Sequence, residues 1–380
     1  MRLYLTALKP TDSVTDGFLP AARALGCEVT ILTDRPERHP DAVACDVRDP
    51  RAVIDTIEQL GKPDAIFSNS DHLQAETALA AAYFGLPGKD WRACVAAKNK
   101  FLMRRKLLEA GVEQVRSVRL APGDPVPDGL PYPIVLKPRE GVASEDVMLV
   151  ERDLAGAVAA ARRRRPGEAL VVEEYLEGPL RTLETLGDGD EVRVLGGFET
   201  TLGALPYFIE ERLDWSPPSS PDDGHVLEAL SALGVGFGAC HTEYVLTADG
   251  PRIIEVNYRV IGDHCDFLMG DVLGVPLFEW ILRVHLGERL PAMPAVARHG
   301  CAVSVVADRA GTIKAAPESD FVERGDVRLW HRPLREVGDV ISLTHTNRDY
   351  LGVIRAVGPD RVRVDAAVEA YRAARPWVIE

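Results

Sequence analysis

From Met1 to Lys89 the apolar positions switch between two periods. Leu3–Ala7, Glu28–Leu32 and Ala65–Phe67 read as short strands, and Asp12–Leu25, closed by Gly26, reads as a helix. Asp71–Phe84 is an alanine-rich helix stopped by Gly85-Leu86-Pro87. Strands alternating with helices predict a parallel sheet covered by helices. The first turn holds no G-x-G-x-x-G, so a dinucleotide site of the Rossmann kind is unsupported.

The pattern then lengthens. Arg92–Glu109 reads as one long helix, closed by Ala110-Gly111. A proline-rich connection, Ala121–Pro133, leads into the apolar run Ile134–Leu136, a buried strand by composition. Leu154–Arg165 is a helix, and its tail Arg162–Arg165 reads as a solvated C-terminus whose cations complement the helix dipole. Leu170–Glu174 is a strand, Trp215–Asp223 a proline- and serine-rich loop, and His225–Leu233 a helix. His241–Thr247 and Arg252–Val256 face each other across Asp249-Gly250, a hairpin signal. Beyond Arg298 come short strand patterns such as Ala302–Ala307 and Val340–Leu343, which predict a small β-rich appendage.

Composition narrows what the chain does. Its 380 residues suggest two or three domains. A net charge of −14 argues against a broad nucleic-acid-binding face, which needs a basic surface, but leaves room for a small anionic ligand held by a few cations. Lysine is scarce beside arginine, so each lysine in a suggestive place carries more weight. The six cysteines form no C-x-x-C pair and read as free thiols of a reducing compartment. No apolar stretch approaches the ~20 residues of a membrane span. Met1–Leu8 reads as a strand rather than a signal peptide, so a cytoplasmic protein is expected.

The hairpin is the strongest chemical signal. Glu255 and Asn257 are two apart on one strand and project to the same side, and strand pairing can bring Glu243 opposite them. Two carboxylates and an amide oxygen suit Mg²⁺ shared with phosphate oxygens. Arg259 continues that face, where a guanidinium grips a transferring phosphoryl group. An exposed hairpin with polar outward residues is the competing reading. Lys137 closes the buried strand Ile134–Leu136, a costly place for a cation without an anionic partner, and Lys100 lies in the long helix. Surface lysines whose stems cover apolar neighbours are the alternative. Val171–Pro179 runs from apolar residues into Glu173, Glu174 and Tyr175, then Gly178-Pro179; it reads as a strand end before a turn, or as a linker whose backbone meets an adenine edge.

Taken in order, these pieces resemble the ATP-grasp superfamily. Lys100 before Ala110-Gly111-Val112, the run Tyr132–Lys137-Pro138, the Val171–Gly178 hinge, the set Glu243, Glu255 and Asn257, and Asn257-Tyr258-Arg259 match its motifs over Arg92 to Leu290. The resemblance implies an α/β protein: a Rossmann-like N-terminal domain over 1–92, an ATP-grasp domain over 93–298 with a lid near 115–180, and a β-rich subdomain over 299–380. It implies ATP contacts at Lys100, Lys137, Ser144, Glu173, Glu174, Tyr175 and Leu176, with Glu184 standing in at the ribose because Leu180 occupies the usual glutamate position. Glu243, Glu255 and Asn257 would hold magnesium, two ions, with manganese as a substitute, and Arg259 would be catalytic. His241, Gly262, Asp263 and His264 are candidates for substrate contact, and Asp266 for capping the helix after them.

His241-Thr242-Glu243-Tyr244 and Gly250–Asn257 look most like the amino-acid and carboxylate–amine ligase branch. Asn257–His264 with Pro276–Leu282 resembles ATP-grasp ligases of siderophore gene clusters. The expected reaction is amide formation through an acyl phosphate, with small-molecule acid and amine as partners, no nucleic acid and no membrane; the resemblance also allows a homodimer. Bicarbonate or phosphotransfer chemistry, and a non-catalytic nucleotide-binding protein, are the alternatives. The loop Arg139–Val147 departs from the family's glycine-rich pattern, and Glu145 and Asp146 bring negative charge towards a phosphate.

Overall fold

The computed structural model describes residues 1–218 and 222–380; the loop read at Trp215–Asp223 falls partly, at 219–221, outside the described residues. At the N-terminus, strands Val43–Ala44, Glu28–Thr33, Arg2–Thr6 and Ala65–Phe67 lie side by side in that order, all parallel. Alternation sends Leu3 and Leu5 to one face, in the core with Phe18, Leu277 and Ile281, and Tyr4 to the other, with Leu32, Val53 and Ile57. The helix expected over Asp12–Leu25 is two pieces: a wide π turn at Ser13–Phe18 and an α-helix at Leu19–Ala24. Pro20 has no N–H to give the preceding turn, which widens instead.

The long helix expected at Arg92–Glu109 is also two, Trp91–Lys98 and Lys100–Glu109. Asn99 between them is extended (φ −100°, ψ 99°), and its Oδ1 accepts from Leu102 N at 3.2 Å, capping the second helix. The break moves Lys100 from the middle of a rod to a helix start.

Strands Ser117–Leu120, Leu170–Glu174, Ile134–Pro138 and Met148–Val150 form an antiparallel four-stranded sheet in that order, backed by helix Leu154–Arg164. Leu136, Val172, Leu154 and Val158 give it a core of its own. The arginine tail is solvated at Arg163 and Arg164, as expected, but three of its four side chains also have partners within the protein. Arg165 pairs with Glu145 at 2.9 Å and Asp146 at 2.5 Å, Arg164 pairs with Asp146 at 2.5 Å, and Arg162 donates to the carbonyls of Ala121 and Asp124. A carboxylate within reach holds a guanidinium more strongly than a helix dipole does.

The largest element is a nine-stranded sheet, ordered Gly250–Asn257, Phe237–Thr247, Leu180–Asp188, Val192–Leu202, Glu210–Ser216, His299–Val306, Tyr350–Gly358, Val327–Pro333 and Asp320–Arg324. Four strands after Arg298 therefore continue the sheet that begins with the hairpin, through Arg212–Asp214 paired with Cys301–Val303, while Val340–Ile341, Gly311–Ala315 and Val378–Ile379 form a separate three-stranded sheet in that order. Helix Arg361–Ala374 covers the four, packing Val364, Val368 and Tyr371 on Leu329 and Ile354. Among the described residues no helix is long and apolar enough to cross a membrane.

Candidate active site

The hairpin forms the floor of a cavity of about 840 Å³ between the N-terminal sheet, the four-stranded sheet and the nine-stranded sheet. Its register sets Glu243 opposite Glu255 and His241 opposite Asn257, and the pairing shifts between Glu243 and Tyr244. All four side chains line the cavity. Behind them, Glu184 faces His241 from the next strand and binds its Nδ1 at 2.7 Å, while Nε2 lies 3.2 Å from Glu243. Burial opposes a charge on His241, but these two carboxylates outweigh it and push its pKa up to about 10.

Both candidate lysines are buried and line the same cavity. Lys100 Nζ lies 2.6 Å from Glu255 and 3.4 Å from the Gly141 carbonyl. Burial works against its proton, yet the Glu255 carboxylate keeps its pKa above the ordinary lysine value. Lys137 Nζ lies 2.7 Å from Glu173. There burial wins, helped by Arg104 and Lys100 nearby, and the pKa falls despite Glu173. Glu173 is also gripped by Arg104, Nε at 2.9 Å and Nη2 at 3.0 Å. Arg104 in turn reaches Glu113 at 2.9 Å, and Glu113 accepts from Ile253 N at 3.0 Å. A buried charged chain thus ties the four-stranded sheet and the Lys100–Glu109 helix to the hairpin.

The loop Gly141–Val147 closes one side. Ala143, Ser144 and Asp146 all have positive φ, at 56°, 54° and 56°, conformations a glycine-rich loop would adopt without strain. The acidic charge of the loop is answered by Arg164, Arg165 and Arg348 rather than left facing a phosphate. Asn347 N donates to the Ala143 carbonyl at 3.2 Å.

Past the hairpin, Arg259 lines the cavity with its Nε 4.0 Å from Asp71, which also pairs with Lys98. Gly262, Asp263 and His264 follow it along the wall. His264 is committed to a bridge: Arg355 donates to Nδ1 at 3.3 Å, which leaves Nε2–H for Asp12 at 2.9 Å. Asp266 does not cap the next helix. Cys265–Leu273 starts one residue earlier, with His264 at the cap position, and the buried Asp266 carboxylate accepts from Phe267 N at 2.9 Å.

The chain shares its fold with a solved L-amino acid ligase from Bacillus licheniformis, at a TM-score of 0.84 and 21% identity over 100% of this chain and 98% of that one. Dapdiamide A synthase of Enterobacter agglomerans is 21% identical over 60% of this chain and 59% of its own length. The chain has the fold of the ATP-grasp ligases, and its sequence is similar to carboxylate–amine ligases. An uncharacterized protein of Sinorhizobium fredii, y4rH, is 28% identical over 100% of this ATP-grasp chain and 84% of its own. No protein-family model matches.

The ATP-grasp cavity gathers Lys100, Lys137, Ser144, Glu173, Glu174, Tyr175, Leu176, His241, Glu243, Glu255, Asn257, Arg259, Gly262, Asp263 and His264. Glu184 is the exception. It is buried behind the cavity, bound to His241 and to Thr182 Oγ1 at 2.8 Å, so it orients His241 instead of reaching a ribose. Glu173, although it lines the cavity, has its carboxylate taken up by Arg104 and Lys137. Sequence reasoning missed Glu210. It projects into the cavity from Glu210–Ser216 and is held by Asn347 Nδ2 at 3.1 Å; burial, with Glu243 and Asp263 close by, raises its pKa to about 8.

Among the described residues, no group of three or more His, Cys, Asp or Glu gathers as a metal site. The donor set here is two carboxylates and an amide. Such hard oxygens fit Mg²⁺ that completes its shell with water and phosphate.

Proposed function

We propose that the chain is an ATP-dependent ligase that joins a small carboxylic acid to an amine through an acyl phosphate, in the making of a peptide-like or siderophore-type metabolite in the cytoplasm. One observation carries the reading: two buried lysines, Arg259 and the oxygen set Glu243, Glu255 and Asn257 converge on a single cavity. The names of the L-amino acid ligase and dapdiamide A synthase support the amide-forming class.

In this reading Lys100 and Lys137 neutralise phosphate oxygens, and the segment Glu174–Leu176 meets the adenine. Lys137 would exchange part of its contact with Glu173 for phosphate. Glu243, Glu255 and Asn257 would hold two Mg²⁺ ions, which supply charge neutralisation at the phosphates. An oxygen of the substrate carboxylate attacks the γ-phosphorus, the bond to the β–γ bridging oxygen breaks, and ADP leaves. The amine nitrogen then attacks the acyl carbon, phosphate departs with the electron pair of the C–O bond, and the extra proton on nitrogen passes to the departing phosphate. Arg259 stabilises the charge that builds on the transferring group and on the tetrahedral carbon. The loop at 141–147 excludes water that would hydrolyse the acyl phosphate.

The test is hydroxylamine trapping with Mg-ATP over a panel of single carboxylates, reading ADP and hydroxamate by mass spectrometry, with Glu255→Gln as control. Hydroxamate and ADP that both vanish in the variant support carboxylate activation. ADP without hydroxamate from any acid would shift the assignment to another phosphoryl acceptor.

A further inference from the structure

The cavity runs past Arg259 to the carboxyl ends of the N-terminal parallel strands, where open α/β sheets bind ligands. That wall is basic. Lys9 follows strand Arg2–Thr6, Arg35 and Arg38 follow Glu28–Thr33, and Arg48 follows Val43–Ala44; all four line the cavity. Of the three carboxylates on the same wall two already have partners, and Asp34, next to Arg35, has no ion pair among the described residues. Asp12 is held by Arg332 at 2.7 Å and by His264, and Asp71 by Lys98. Among the described residues no ion pair joins Arg35 or Arg48, and Arg38 has only the exposed Glu37, at 3.9 Å.

A chain of net charge −14 has carboxylates to pair with these guanidiniums, yet holds them at one end of its reaction cavity. Clustered cations repel one another, and the field they make there attracts an anion. The ATP phosphates do not answer to it, because Lys100 and Lys137 serve them from the far side of Arg259. The wall therefore faces the other end of the acid.

We propose that the acid substrate carries a second anionic group, a carboxylate or a phosphate, away from the carboxylate that is activated, and that Arg35, Arg38 and Arg48 bind it. The proposal rests on the ligase reading for the reacting end. Guanidinium matches both groups through paired N–H donors, and three on short neighbouring loops select an acid with a second anionic group over the analogue that lacks it.

Two measurements test it. With ADP filling the nucleotide site, succinate, 3-phosphoglycerate and inorganic phosphate are titrated calorimetrically into the wild type and into Arg35→Ala/Arg48→Ala. At least one should bind the wild type, and about 10-fold more weakly the variant. Arg35→Lys/Arg48→Lys, which keeps the charge, should recover part of the loss. Absence of binding by all three, or equal affinity in the alanine variant, overturns the proposal.

The second measurement is hydroxylamine-dependent ADP release, comparing succinate with succinamate and 3-phosphoglycerate with glycerate. The singly charged member of the preferred pair should show a KM about 10-fold higher with kcat little changed, and the alanine variant should erase the difference. The preferred pair identifies the group as carboxylate or phosphate. Equal KM values within both pairs would remove the second anionic group and leave the ligase reading standing. Anion binding at the arginines without ADP release from any acid would do the reverse.

Discussion

Replacing Glu173 with glutamine should be among the most damaging single changes in the protein. The carboxylate is 2% exposed and receives two N–H bonds from Arg104 and one from Lys137. Glutamine keeps the shape but leaves the buried Lys137 without its anion and Arg104 with Glu113 alone, a change that costs about 3–5 kcal/mol. Proton linkage gives an independent figure. Burial alone would raise the Glu173 pKa, but Arg104 and Lys137 pull it down to about 2. An unfolded glutamate titrates near 4.3, so the roughly two-unit gap corresponds to about 3 kcal/mol of stability at neutral pH. Because the folded pKa is the lower one, this contribution is complete above about pH 5 and is lost as pH falls towards 2. Urea unfolding of wild type and Glu173→Gln at pH 7, 5 and 3 should therefore show a gap that narrows with acid. Adding Lys137→Met to the variant removes the stranded cation and should recover part of the loss. A variant within ~1 kcal/mol of wild type at pH 7, or a gap that does not change with pH, would refute the claim that this network is tightly coupled.

Three further outcomes follow from the site. Asn99→Ala removes the cap of the helix that begins with Lys100; it should lower stability by about 1 kcal/mol in thermal unfolding and raise the KM for ATP, whereas Asn99→Asp should do neither. Arg259→Ala should lower kcat for hydroxamate formation by about 10²–10³ while ADP affinity, measured by calorimetry, stays near wild type. Arg165→Ala strips the loop at 141–147 of contacts to Glu145 and Asp146; faster limited proteolysis within that loop and a KM for ATP raised several-fold are expected.

Local features were the readable ones. Period-two alternation exposed the hairpin, and the order of lysines, hinge and carboxylates carried the family resemblance, because both are written in short stretches of chain. The break at Asn99 was harder to see: Lys98, Asn99 and Lys100 all tolerate a helix, and only the capping bond selects the kink. Glu210 and Asn347 are 137 residues apart, and no local pattern announces that they meet in the cavity. The same holds for Arg164 and Arg165, whose partners Glu145 and Asp146 sit one strand and one helix back along the chain. Glu184 is expected at the ribose only through the family resemblance, which does not show which neighbour claims its carboxylate; His241, directly opposite, does so.

The join between Glu210–Ser216 and His299–Val306 has a consequence for how the chain can be divided. A module attached by a linker can be cut away and leave its neighbour intact. Here the connection is a row of backbone hydrogen bonds, with Arg212, Leu213 and Asp214 facing Val303, Ala302 and Cys301. Ending the chain at 298 would strip that row bare, beside the strand that carries Glu210, and open a fresh sticky edge in the middle of a sheet. The site and the C-terminal strands are thus a single woven fabric, and a gene fragment trimmed to the motif-bearing region would yield aggregate in place of a smaller enzyme.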